Sequence, residues 1–95
     1  MLRIPRSSVE YVQAPVRGPI ALAGLPVKMA ILPLDQDPTD DDWKPAGWTD
    51  AGDTAQVLIG PSTALDLDKG TYMIWVRVTS SPEIPVMQSG KLQII

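Results

Sequence analysis

Hydrophobic and polar positions alternate along this chain in short runs that stop at proline or glycine. The clearest run is Thr71 to Ser81, where Tyr72, Ile74, Val76 and Val78 share one face and Met73, Trp75, Arg77 and Thr79 the other. A period of two places successive side chains on opposite faces of a strand. The run is rich in β-branched and aromatic residues and follows the turn signal Lys69-Gly70. Ser8 to Ala14 reads the same way, with Val9 and Tyr11 opposed to Val12 and Ala14, and Pro15 ends it or confines it to a sheet edge. Val27 to Leu32 sets Val27, Met29 and Ile31 against Lys28, Ala30 and Leu32 before Pro33. Ala55 to Ile59 turns Val57 and Ile59 inward and is broken by Gly60-Pro61. Leu65 to Leu67 reads as a short strand or turn, and Lys91 to Ile95 as the last strand, with Leu92 and Ile94 on the core side.

Ten prolines and seven glycines in 95 residues leave no room for a long helix. The pattern predicts a single all-β domain over residues 1–95, an antiparallel sandwich of about six or seven short strands with immunoglobulin-like or fibronectin-like architecture. Residues 1–7 are expected as an extended N-terminal arm, and 35–53 as a long acidic loop carrying Trp43 and Trp48. The strand around Trp75 is apolar on both faces. Such a strand is either central and covered by its own chain or half covered by a neighbour.

Composition narrows the chemistry. Histidine, cysteine and phenylalanine are absent, which removes the commonest general base, the thiol nucleophile and most transition-metal ligands. Ser62-Thr63 and Ser80-Ser81 lie in turns without a base, and Gly18, Gly24 and Gly60 lack phosphate-loop spacing. The expectation is a protein that is no enzyme and takes no cofactor. Eight basic residues face eleven acidic ones, for a net charge of -3. The basic ones (Arg3, Arg6, Arg17, Lys28, Lys44, Lys69, Arg77, Lys91) are spread singly, a pattern that argues against nucleic acid. The longest apolar stretches, Met29 to Leu34 and Tyr72 to Val76, are of strand length, so no membrane span is expected. Met1 to Glu10 lacks the apolar stretch of a secretion signal, which points to a protein made in the cytosol. A small domain without disulfides often gains stability from a partner or from copies of itself.

The segment 35–53 holds Asp35, Asp37, Asp40, Asp41, Asp42, Asp50 and Asp53. Calcium would suit an oxygen-rich loop, but an EF-hand counted from Asp35 places Asp40 where glycine is needed and Ala46 where a bidentate glutamate is needed. The reading is a solvated loop with an aspartate N-cap for a short turn at Asp42-Trp43, and no metal is expected. Asp40 and Asp42 form no credible glycosidase pair in a domain with little room for a cleft. Trp48 is expected to fold back as a lid on the open edge of the sandwich. Trp43 either folds back or stays exposed, where it would anchor a partner or stack on a sugar. Arg77 beside Trp75 is a candidate for a cation–π contact or an interface ion pair.

Several segments together carry a resemblance. Asp42-Trp43-Lys44-Pro45-Ala46-Gly47-Trp48, Leu58-Ile59-Gly60-Pro61, Gly70 to Val78, Pro82-Glu83-Ile84-Pro85-Val86 and the closing Ser89 to Ile94 resemble small virion proteins of tailed phages that infect actinobacteria, encoded among head and head-to-tail genes. The likeness covers roughly residues 27–95. It implies a non-catalytic β-sandwich that is located in the virion and contacts other virion proteins and copies of itself. Arg3, Arg6, Trp43, Trp48, Trp75 and Arg77 are the expected interface residues, with the Arg3 to Arg6 arm lying along an acidic neighbour. The alternative is a carbohydrate-binding or host-attachment module using Trp43 and Trp48.

Overall fold

Strand alternation becomes two packed sheets in the computed structural model, which describes residues 2–16, 24–50 and 52–95. Met1 of the expected arm, Arg17 and Gly18 lie outside these. The elements are β1 (Leu2–Ile4), β2 (Glu10–Pro15), β3 (Val27–Pro33), a 3-10 turn (Asp40–Asp42), β4 (Lys44–Pro45), β5 (Gly47–Trp48), β6 (Thr54–Ile59), β7 (Gly70–Val78) and β8 (Val86–Ile94). The larger sheet runs β1-β8-β7-β3-β4 and the smaller β2-β6-β5. The architecture is an all-β sandwich.

One face of each alternating run meets in the core. Val12 and Ala14 of β2, Val27, Met29 and Ile31 of β3, Ala55, Val57 and Ile59 of β6, Ile74, Val76 and Val78 of β7, and Leu92 and Ile94 of β8 are all buried together. Met29, Ile59 and Leu92 are among the largest side chains wholly removed from water, and truncating such a residue to alanine typically costs about 2–5 kcal/mol.

Four elements differ from the sequence expectation. Leu2–Ile4 is a strand, β1, whose parallel pairing with β8 sets Ile4 opposite Ile94; the arm is docked along the sheet edge, and Ile4 is buried. The last strand begins at Val86 and not at Lys91. A register shift at Ile74/Trp75 and the positive φ of Gly90 interrupt its alternation. Within the segment 35–53 the chain crosses between the sheets: Lys44–Pro45 pairs with β3, and Gly47–Trp48 pairs with β6. Leu65 to Leu67 is not a strand, yet Leu65 is buried in the core. The turn before Leu65 is closed by its carbonyl, which accepts from Gly60 N–H at 3.0 Å. The Thr63 hydroxyl donates to the Gly60 carbonyl at 2.7 Å.

Gly60 is required where it stands. Its φ is +125°, and a side chain there would collide with the Ser8 carbonyl oxygen and lie 2.9 Å from Val9 Cα.

Candidate functional site

The outer face of the larger sheet is built by residues that alternate with the core set. Central strand β7 sends Trp75 and Arg77 outward, and β3 sends Lys28, Ala30 and Leu32. Ala30 and Leu32 are buried with Trp43, and Trp75 packs against them. The second apolar face of β7 is therefore covered by the chain's own 40–43 segment. Trp43 is only 8% exposed. The Arg77 guanidinium carbon lies 4.8 Å from the centre of the Trp43 ring, within the range of a cation–π contact. The indole nitrogen of Trp75 is buried and has no hydrogen-bond partner among the described residues.

The approach of Trp43 is set by a short local device. The Thr39 backbone N–H donates to the Asp42 carboxylate at 2.8 Å and the Thr39 hydroxyl at 3.0 Å. These bonds, the backbone one first, hold the Asp42 carboxyl below its ordinary value. The residue at the N-cap is Thr39, not an aspartate; Asp42 sits at the end of the turn and reaches back to it. Lys44 Nζ donates to the Asp41 carbonyl at 3.2 Å and ties the next residues down.

Trp48 belongs to the other side of the molecule. It packs half-buried against the main core from β5, and its indole N–H donates to the Leu25 carbonyl at 2.9 Å. The two tryptophans of the 35–53 segment therefore do not share a platform. Trp43 covers the outer face of the larger sheet, and Trp48 closes the edge of the sandwich.

Of the two arginines of the N-terminal segment, Arg6 is engaged within the chain, 3.1 Å from Asp68 and 3.9 Å from Asp66. Beside it, the Tyr72 hydroxyl donates to the Asp68 carbonyl at 2.7 Å. Burial, and then the nearby Asp68 charge, raise the Tyr72 phenol above its usual value. Arg3 is exposed on β1, in register with Gln93.

Sequence reasoning missed what strand order does to the charges. No strand of the larger sheet contains an aspartate or glutamate. Arg3, Lys91, Arg77 and Lys28 sit on the adjacent strands β1, β8, β7 and β3, one to a strand. Each is next in sequence to a core residue (Ile4, Leu92, Val76 and Val27) and so projects from the outer face. Cations spread singly along the chain are gathered on one surface.

The smaller sheet has an exposed face of a different kind. Tyr11 and Leu58 pair directly across β2 and β6, with exposures of 57% and 37%, and Val9 nearby is 53% exposed. The Val16 N–H donates to the Asp53 carbonyl. By alternation Tyr11 and Gln13 then turn their backbone groups to the other edge of β2, which no strand covers among the described residues and where Pro15 offers no donor. A cleft of about 430 Å³ beside this strand is lined by Pro15, Val16, Val76, Met87, Gln88 and Ser89. None of those side chains is ionisable. Among the described residues no group of three or more acidic side chains is placed to hold a metal ion, and no helix is long and apolar enough to cross a membrane.

The fold and these surfaces define a small two-sheet β-sandwich. Comparison of the chain with protein-family models, with curated proteins and with solved structures finds no match.

Proposed function

We propose that this chain is a non-catalytic structural module of a tailed-phage virion, of the capsid or the head-to-tail region, acting through protein–protein contact. The observation that carries the contact role is the pairing of a strand edge left open among the described residues with exposed apolar side chains. Val9, Tyr11 and Leu58 lie on the outer face of the smaller sheet, next to the backbone groups of Tyr11 and Gln13, which have no strand partner among the described residues. An edge of this kind is a template for another chain. The loop between β7 and β8 adds Ile84, 56% exposed, and β8 opens with Val86 at 48%. The resemblance of residues 42–48, 58–61 and 70–94 to small phage virion proteins supports the virion setting.

The sugar-binding alternative is weakened by the placement of its two residues. Trp43 is sealed beneath Arg77, and the Trp48 N–H is already bonded to Leu25. Mass spectrometry of purified particles of a phage encoding this chain is expected to find its peptides in stoichiometric proportion to the capsid or neck proteins. Their absence from intact particles would overturn the virion assignment.

A further inference from the structure

The outer face of the larger sheet gathers four cations, of which the fold employs Arg77 against the Trp43 ring. Lys28 and Arg77 stand directly opposite each other on β3 and β7. The alternation that follows from the Thr79 N–H to Pro26 carbonyl bond makes theirs a hydrogen-bonded pair, whose Cα atoms lie about 5.5 Å apart. Like charges opposite one another destabilise a sheet. The chain has eleven acidic residues, yet among the described residues the ion pairs are those of Arg6 with Asp66 and Asp68. Among the described residues none of the four cations on this face has a carboxylate partner, Arg77 lying over the Trp43 ring.

The four are ordered in space. Lys28 and Arg77 mark one end; Lys91, opposite Met73, and Arg3, opposite Gln93, mark the other. Strand spacing and rise put the diagonal from Lys28 to Arg3 at about 25 Å, the length of an extended segment of roughly eight residues. Gln88, paired with Trp75, lies along it.

We infer that this face is a docking surface for an extended acidic segment of a partner protein, its carboxylates meeting Lys28 and Arg77 at one end and Lys91 and Arg3 at the other. Charge complementarity names the occupant: four cations on the face, and no aspartate or glutamate on the strands of this sheet. A protein fits better than a nucleic acid. Four separated cations fall short of the six to ten phosphate contacts, roughly, that such binders commonly make, and half-buried Met73 and exposed Val86 lie on the same face, beside the cluster of Trp43 and Trp75, where they can receive side chains.

The surface supplies the partner chemistry for the contact role proposed above and rests on it in that respect. Its test needs no virion, so the two can fail separately. The probe is a fluorescein-labelled octaglutamate peptide, titrated by anisotropy at low salt against the full chain, Lys28→Glu and Lys69→Glu. The two variants change net charge equally, and Lys69 precedes β7 and lies off the face. The full chain is expected to bind. Lys28→Glu should weaken binding about threefold to tenfold, and Lys69→Glu should leave it within about twofold. Because Lys28→Glu also replaces a like-charge pair by an opposite one, its Tm should rise as its binding falls. Absence of peptide binding, or equal loss in both variants, would overturn the inference. A 20-base-pair DNA duplex that binds more tightly than the peptide and is lost on Lys28→Glu would assign the face to nucleic acid instead.

Discussion

Arg77 lies over Trp43, its guanidinium carbon 4.8 Å from the ring centre, and so fastens the 40–43 segment to the central strand of the larger sheet. Underneath, Trp43 is in contact with Ala30 and Leu32 and flanked by Trp75. Trp43→Ala opens this second cluster and is expected to cost about 3 kcal/mol or more. Arg77→Met keeps the aliphatic stem, loses only the cation–π contact, and should cost about 0.5–1 kcal/mol. Urea denaturation of both variants measures the difference. A Trp43→Ala cost as small as that of Arg77→Met would mean the cluster does not hold the segment.

Two glycines of positive φ separate collision from backbone strain. Gly60 has φ +125° with the Ser8 carbonyl in the way of a side chain, whereas Gly90 has φ +127° with nothing within 4 Å. Gly90→Ala should cost about 1 kcal/mol from strain alone, and Gly60→Ala more than about 2 kcal/mol. Thermal or urea unfolding of the two variants checks the order.

The Thr39–Asp42 contact predicts a pH dependence with a definite sign. The Asp42 carboxyl is held below its ordinary value of 3.8 by the Thr39 backbone N–H and then the Thr39 hydroxyl. A carboxylate with a lowered native pKa stabilises the fold above the unfolded value, and that contribution is lost as pH falls through the native one. Asp42→Asn is therefore expected to melt below the parent at pH 7, with the gap closing as the pH is taken below 3.8. A gap that persists unchanged in acid would assign the effect to shape and not to charge.

Trp48 holds the opposite edge through one bond. Trp48→Phe keeps most of the packing and leaves the Leu25 carbonyl without its donor at 2.9 Å. The expected loss is about 1 kcal/mol, read by urea denaturation.

Much of the fold was legible because β2, β3, β6 and β7 each pack one face into the core, and a half-buried strand writes its period into the sequence. The second apolar face of β7 was legible too, but its cover was not: Trp43 meets Trp75 only through the crossing between sheets. Leu2–Ile4 is too short to show a period. The first half of β8 hides behind Gly90 and a register shift, and its outward side chains are largely exposed. The cationic face was illegible for a topological reason. Positions 3, 28, 77 and 91 become neighbours only through the order β1-β8-β7-β3, and alternation says which face a residue takes, never which strand lies beside it.

A zero-length carbodiimide coupling in purified particles tests the contact account most directly, because it joins only amines and carboxylates already in touch. The account predicts amide links from Lys28 and Lys91 to aspartates or glutamates of another structural protein, with Lys69 uncoupled or joined only within its own chain. Particles that contain the protein but yield intermolecular links from Lys69 and none from Lys28 or Lys91 would contradict it.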